Sequence, residues 1–351
     1  MRTAAVAAAA LLAVVPVVLH AQDSTHTAGH RRQRGPSHWH IGITYHDYGV
    51  TIGNAARTNG LRLNFEDVDL ERVNGVNFTI WKAQEPLSGT VNGVAIGGVP
   101  SGEYLNGVNV GIGGVVAERR ARWVQIGGLG AVSSGDLEGL SIGGLGTVAN
   151  HDLVGIALAG LGTVADHNIR GVAIAGLGTV ANGSVSGIAI AGLGTVADRD
   201  VRGIAIAGLG TVVNRDLTGI GIGGLATVAD GDVTGIGIGG LATVTNGTLT
   251  GLGVGGLAVV ADDELHGVGL AGYTVDAPRI RGWSTALYVK TRALSGVSIA
   301  AYNRVRGPQV GLAIGIYNSA RVLKGVQIGL LNRAQNNHGI LRILPLLNAH
   351  F

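Results

Sequence analysis

Few residues in this chain are of types that perform chemistry, and each group can be weighed by its spacing. Five histidines fall within 21 residues: His26, His30, His38, His40 and His46. His38 and His40 stand two apart on a segment of alternating character, so their imidazoles would share one strand face and are the only candidates for a divalent metal. Glu66, Asp67, Asp69 and Glu71 place four carboxylates in six residues. Calcium would need converging oxygens around a Gly turn, which this stretch lacks, and paired-carboxylate hydrolysis would need a cleft. A charged strand edge that resists further pairing accounts for the run. Gly219-Ile220-Gly221-Ile222-Gly223-Gly224 superficially matches a phosphate loop, yet no helix follows to present its N-terminus. Thr147, Thr163, Thr179, Thr195, Thr211, Thr227 and Thr243 recur every 16 residues. Exposed, such a column could order water; ice-binding surfaces usually carry a second Thr two positions on, where this chain mostly has Ala. A ladder of hydroxyls bonding along the stack is the expectation. Ser141 falls in Gly139-Leu140-Ser141-Ile142-Gly143, but this is one copy of the repeat with no helix behind it, so it forms no nucleophile elbow. The residues therefore point to no enzyme, no catalytic residue and no cofactor.

Composition narrows the class further. The 351 residues include 62 Gly, 7 Pro and no Cys, and 13% are charged. Gly is more than double, and charge about half, the usual share of about 7% and about 25%. Hydrophobic residues still make up 46%, too many for a disordered tail. Without Cys there are no disulfides and no thiolate metal sites. Residues 36–351 carry 21 basic and 21 acidic side chains, so there is no basic face for nucleic acid.

The elements that must position any surface begin after a targeting segment. Arg2, the apolar run Ala4 to Leu19 and the small-residue site Leu19-His20-Ala21 read as a signal peptide over 1–21, which implies export. A flexible His/Arg-rich leader follows over 22–37. The centre is a repeat: Gly139-Leu140-Ser141-Ile142-Gly143-Gly144-Leu145-Gly146-Thr147-Val148 returns at 155, 171, 187, 203, 219, 235 and 251. With this Gly as position 1, the unit has 16 positions. Degenerate copies start at Trp123 and Gly267, looser ones at Gly75, Gly93 and Gly107, and others at Gly296, Gly311, Gly325 and Gly339. The domains are thus an N-terminal β region over 38–122, a regular array over 123–282, and degenerate repeats with a cap over 283–351.

Helix is excluded, because several Gly per unit would each cost about 1 kcal/mol against Ala. The Ile-x-Ile alternation has the period of a strand, and Asp198-Arg199-Asp200 is turn chemistry. Two all-β folds fit: a parallel β-solenoid with 16-residue coils, and an antiparallel up-and-down β-barrel with one strand per repeat. The solenoid is preferred, since identical turns accumulate none of the stagger a barrel needs and no aromatic girdle is present. Asn150, Asp166, Asn182, Asp198, Asn214, Asp230, Asn246 and Asp262 alternate strictly, which in stacked coils keeps carboxylates two coils apart. The same pattern is expected to bury Ile206 and its column. The final strand is expected to close the array with its large Leu and Phe side chains.

The last third carries Gly311-Leu312-Ala313-Ile314-Gly315-Ile316-Tyr317-Asn318 and Gly325-Val326-Gln327-Ile328-Gly329-Leu330-Leu331-Asn332. This resembles a family of uncharacterised bacterial surface repeat proteins of the spirochaete type, with units G-[VL]-Q-[IV]-G-L-[IL]-N. The match covers about 296–351, and more loosely 75–300, where Gly or Thr replaces the Asn. The resemblance implies an exported, envelope-associated repeat protein, of a family for which no activity is established. The function expected is a non-enzymatic scaffold or interaction surface at the outer membrane, cell surface or periplasm. Its partners would be protein or the envelope itself, with self-association through strand edges open to it. The alternative is an integral outer-membrane barrel acting as a pore.

Overall fold

The computed structural model describes residues 39–46 and 48–351. The signal segment, the leader and His38 lie outside the described residues. Each unit of the array folds as one coil, and the coil starting near Val201 serves for all. A seven-residue strand, Val201–Ala207, runs from position 15 through the Gly at position 1 to position 5. A tip at Gly208-Leu209 leads into a four-residue strand, Gly210–Val213, and a polar turn at 214–216 starts the next coil. Each strand pairs in parallel with its equivalent 16 residues on: Val201 with Leu217, Thr211 with Thr227. The fold is a parallel β-solenoid. A barrel would pair consecutive strands antiparallel, whereas here the long and short strands form two separate ladders.

Both ends of the ladder switch to antiparallel pairing. His40–Tyr45 lies antiparallel on Tyr48–Gly53. At the other end a 3-10 turn, Gly339–Arg342, reverses the chain so that Ile343–His350 lies antiparallel on the extended run Ala293–Ala334. That final strand does not close the array as expected. Phe351 is 97% exposed and Leu346 71%, while the member turned inward is Asn348. Asn348 accepts a hydrogen bond from Asn337 Nδ2 at 2.8 Å and donates to the Asn332 carbonyl at 3.3 Å. The last coil leaves backbone polar groups to satisfy, and an amide can meet them where a Leu cannot.

The corner at position 1 explains the Gly column. Gly203 has φ +131, and a Cβ there would sit 2.1 Å from the Gly187 carbonyl oxygen of the preceding coil. Trp123 is the exception, holding φ 80 with its indole in solvent. This corner also sets which side chains face in. Val201, Ala205, Ala207, Thr211 and Val213 are buried, whereas Ile204, Ile206 and Val212 are only half-buried on the outside. The expectation for Ile206 is therefore reversed. Period-two alternation says which residues share a face, and the bend at Gly203 places three residues between inward Val201 and inward Ala205.

The inward columns are small because the two ladders lie close together. Where position 3 is Ala, position 15 is β-branched in Val185/Ala189 and Val201/Ala205. In the next coil Leu217 enlarges and Gly221 shrinks, so that a Cβ on Gly221 would meet Leu217 Cδ1 at 2.5 Å. Leu249 with Gly253, at 2.6 Å, repeats the exchange. In these coils a larger side chain at position 15 is answered by a smaller one at position 3, as close packing favours; Leu153 with Ala157 and Val233 with Gly237 depart from the exchange.

Candidate functional site

The residues singled out by type are not brought together. His40 opens the exposed first strand, where it pairs with Gly53, and its proposed partner His38 is outside the described residues. Among the described residues no group of three or more His, Asp or Glu is placed to hold a metal ion. The four carboxylates at 66–71 diverge. Asp67 is buried and is ion-paired to the fully buried Arg62, which corrects its reading as an exposed charged edge. Its second oxygen accepts from Asn77 Nδ2 at 3.1 Å and Thr79 Oγ1 at 3.0 Å. Arg62 also donates to Asn54 Oδ1 at 2.7 Å and to the Ala55 carbonyl at 3.0 Å. The charged pair is fully engaged and only the Asn64 Oδ1 beside it is left without a partner, so this cluster secures the first coils. The signal for it was Arg62 standing at inward position 3, in register with Asn77.

The Thr column faces inward and is fully buried, which removes the water-ordering surface. Thr147 and Thr163 bond hydroxyl to hydroxyl at 3.0 Å. Further on, the hydroxyls donate across the coil instead, Thr195 to the Ile206 carbonyl at 3.2 Å and Thr211 to Ile222 at 2.9 Å. Gly219 to Gly224 form a strand and its tip, with no helix behind them. A depression of about 120 Å³ beside Asp276, Lys290, Arg292 and Arg306 is smaller than the ~300–1,000 Å³ of ordinary ligand sites. Its Asp276 and Lys290 are already ion-paired.

The feature the structure does assemble is the outside of the coil. Between 134 and 270 every charged side chain, twelve acidic and four basic, falls at positions 12 to 16. This makes one polar edge. It is ordered by short bonds between coils: Asn182 Nδ2 donates to Asp166 Oδ1 at 3.2 Å, Asn214 to Asp198 at 3.1 Å, and Asn246 to Asp230 at 3.1 Å. The Asn/Asp alternation is thus a donor-acceptor pairing, which goes beyond the separation of charges. At the start of the array Arg122 bonds Glu138 at 2.6 Å, and that hydrogen bond raises its guanidinium above its ordinary pKa.

In the units from Gly139 to Gly251 the eleven residues from position 1 to position 11 carry no charge, as in 203–213. Their outward members are Ile at positions 2 and 4, Leu at the tip and Val at position 10. Most tip leucines are substantially exposed, from 39% at Leu193 to 60% at Leu129, and Leu209 is half-buried. Beyond the array the outside turns aromatic: Tyr288 and Tyr302 have ring centroids 5.4 Å apart, and Tyr302 and Tyr317 stack at 4.7 Å. A hydrogen bond to Tyr288 raises the Arg304 guanidinium above its ordinary pKa. Sequence reasoning missed this apolar surface because it assigned the Ile columns to the core.

No family, curated protein or solved structure matches the chain.

Proposed function

We propose that the chain is an exported, non-enzymatic repeat scaffold that presents an extended interaction surface at the cell envelope, in the manner of the spirochaete-type surface repeats it resembles. The observation that carries this reading is the repetition of identical outward side chains on one uninterrupted parallel ladder. Such an array offers the same small pattern many times along one direction, which suits adhesion to something extended. Export rests on the segment 1–21, whose charged start, apolar run and small-residue site favour cleavage before Gln22.

Fractionation of the native host tests it, combined with sequencing of the protein's N-terminus. The chain is expected in the envelope fraction and beginning at Gln22. Recovery from the cytosol with residues 2–21 still attached would overturn the proposal.

A further inference from the structure

We infer that the array inserts edge-on into the hydrocarbon of a single membrane leaflet, tip first, with its polar edge left at the level of neutral headgroups. The inference rests on reading the array as an interaction surface, and it names what that surface meets. Three observations on the same coils converge. The first is the segregation of charge: all sixteen charged side chains between 134 and 270 lie at positions 12 to 16, and none lies between the corner Gly at position 1 and position 11, which takes in the long strand beyond the corner, the tip and the short strand.

The second is that the apolar surface wraps the coil. Ile156 and Ile174 stand out from the long strands at 46% and 39% exposure, Leu177 and Leu241 form the tip, and Val212 faces out from the short strand on the opposite side. From Leu129 to Leu287 the tip ridge spans eleven coils, about 48 Å at the spacing of paired strands, while the uncharged short-strand face ends at Val260, beyond which Asp276 and Lys290 follow in register. One long-strand face of that length covers on the order of 700 Å², beyond the ~300–600 Å² of the largest patch on typical soluble monomers. A second copy or a globular partner would cover one face and leave the tip and the other face in water. A surrounding apolar medium covers all three.

The third is depth. From position 2 to the tip is about 16 Å of extended chain, close to half of the ~30 Å hydrocarbon core of a bilayer. The wedge therefore reaches the midplane and stops where the charges begin. Those charges are twelve acidic against four basic, so the edge favours neutral over anionic headgroups.

The absence of Cys makes the test clean, since one introduced thiol takes one label. Leu209→Cys at the tip and Arg199→Cys on the polar edge would each be labelled with an environment-sensitive fluorophore in the chain purified from its host. Each is then mixed with phosphatidylcholine vesicles, with and without lipid carrying a nitroxide at mid-chain. At Leu209→Cys the emission should shift to the blue and lose at least half its intensity to the nitroxide, and at Arg199→Cys neither should happen. Retained residues 4–19 could bring the chain to vesicles by themselves, so the contrast between the two labels decides. Adding Leu193→Asp and Leu225→Asp should weaken the tip response about tenfold while circular dichroism stays unchanged.

Equal responses at the two labels would overturn the inference, as would a folded chain whose tip label ignores vesicles. A blue shift at Leu209→Cys that grows with protein concentration without lipid, and that the nitroxide does not quench, would also overturn it and assign the face to a second copy. Envelope location together with any of these failures would leave the scaffold reading standing.

Discussion

Two stretches of the same ladder solve the same problem with different side chains. In the central array Thr211 at inward position 9 donates its hydroxyl to the Ile222 carbonyl of the next coil at 2.9 Å. In the last coils Asn318 holds that place and donates to the equivalent carbonyl, Ile328, also at 2.9 Å. The difference lies in the tip. Thr211 follows Ala207 by four positions, whereas Asn318 follows Gly315 by three, so the later coils have one residue fewer in the turn. A hydroxyl has one hydrogen and serves one acceptor, while an amide has two and also accepts. Asn318 accordingly donates to Asn332 Oδ1 at 2.7 Å and accepts from Asn303 Nδ2 at 2.7 Å. The replacement of Asn by Thr in the central units is thus a change of turn length answered by a change of side chain, within one continuous fold.

The most severe way to test this contrast is Asn318→Leu. It fills the buried volume but strips partners from the Ile328 carbonyl, Asn332 and Asn303. At about 1–3 kcal/mol for each buried group left unsatisfied, the loss should exceed about 3 kcal/mol. Hydrogen exchange should show it as lost protection in the coils around 303–332, with the array unaffected. A loss no greater than that of Thr211→Val would mean the Asn column does not hold those coils together.

Next in size is Gly221→Ala. Overpacking against Leu217 should cost about 1–3 kcal/mol, and Leu217→Val in the same chain should recover part of it, because Val201 with Ala205 is that combination one coil earlier. Additive losses in the double variant would refute overpacking against Leu217 as the cause. Thr211→Val should cost about 1 kcal/mol, the net value of one hydrogen bond, read as a modest drop in protection of the Ile222 and neighbouring amides. An effect as large as that of Asn318→Leu would erase the distinction between the two stretches.

How far the sequence carried depends on which features the backbone leaves visible. The period, the strand type, the parallel register and the alternation of the Asn/Asp column were all legible, because identical turns lock identical residues side by side, while the hydrogen bonds within that column were not. What escaped was anything set by the corner. Gly203 at φ +131 interrupts the in-out count, so the Ile columns were placed inside and the apolar surface went unseen. Asp67 was misjudged for a related reason: its charge looked like surface until Arg62 is seen at an inward position, opposite Asn77 on the neighbouring strand that also carries Thr79. The terminal cap was read as needing bulk, when the exposed backbone of a last coil needs polar partners. No spacing in the chain distinguishes those needs.

The smallest expected effect is the sharpest test of that lesson. Were Ile206 buried, Ile206→Thr would place a hydroxyl in the core and remove a methyl, at a cost of about 2 kcal/mol or more. On the outside, half-buried beside Ile190 and Ile222 of the neighbouring coils, it exchanges one β-branched residue for another on a strand, and β-branched residues suit such positions. Stability in water should then change by no more than about 0.5 kcal/mol. Ala205→Thr, one residue away, introduces the same hydroxyl into the buried column with two extra heavy atoms, and overpacking should cost about 1–3 kcal/mol. Chemical denaturation of the two variants side by side tests the ordering. Should Ile206→Thr prove the more damaging of the pair, the assignment of inside and outside to this sheet would be wrong, and the apolar surface built on it would go with it.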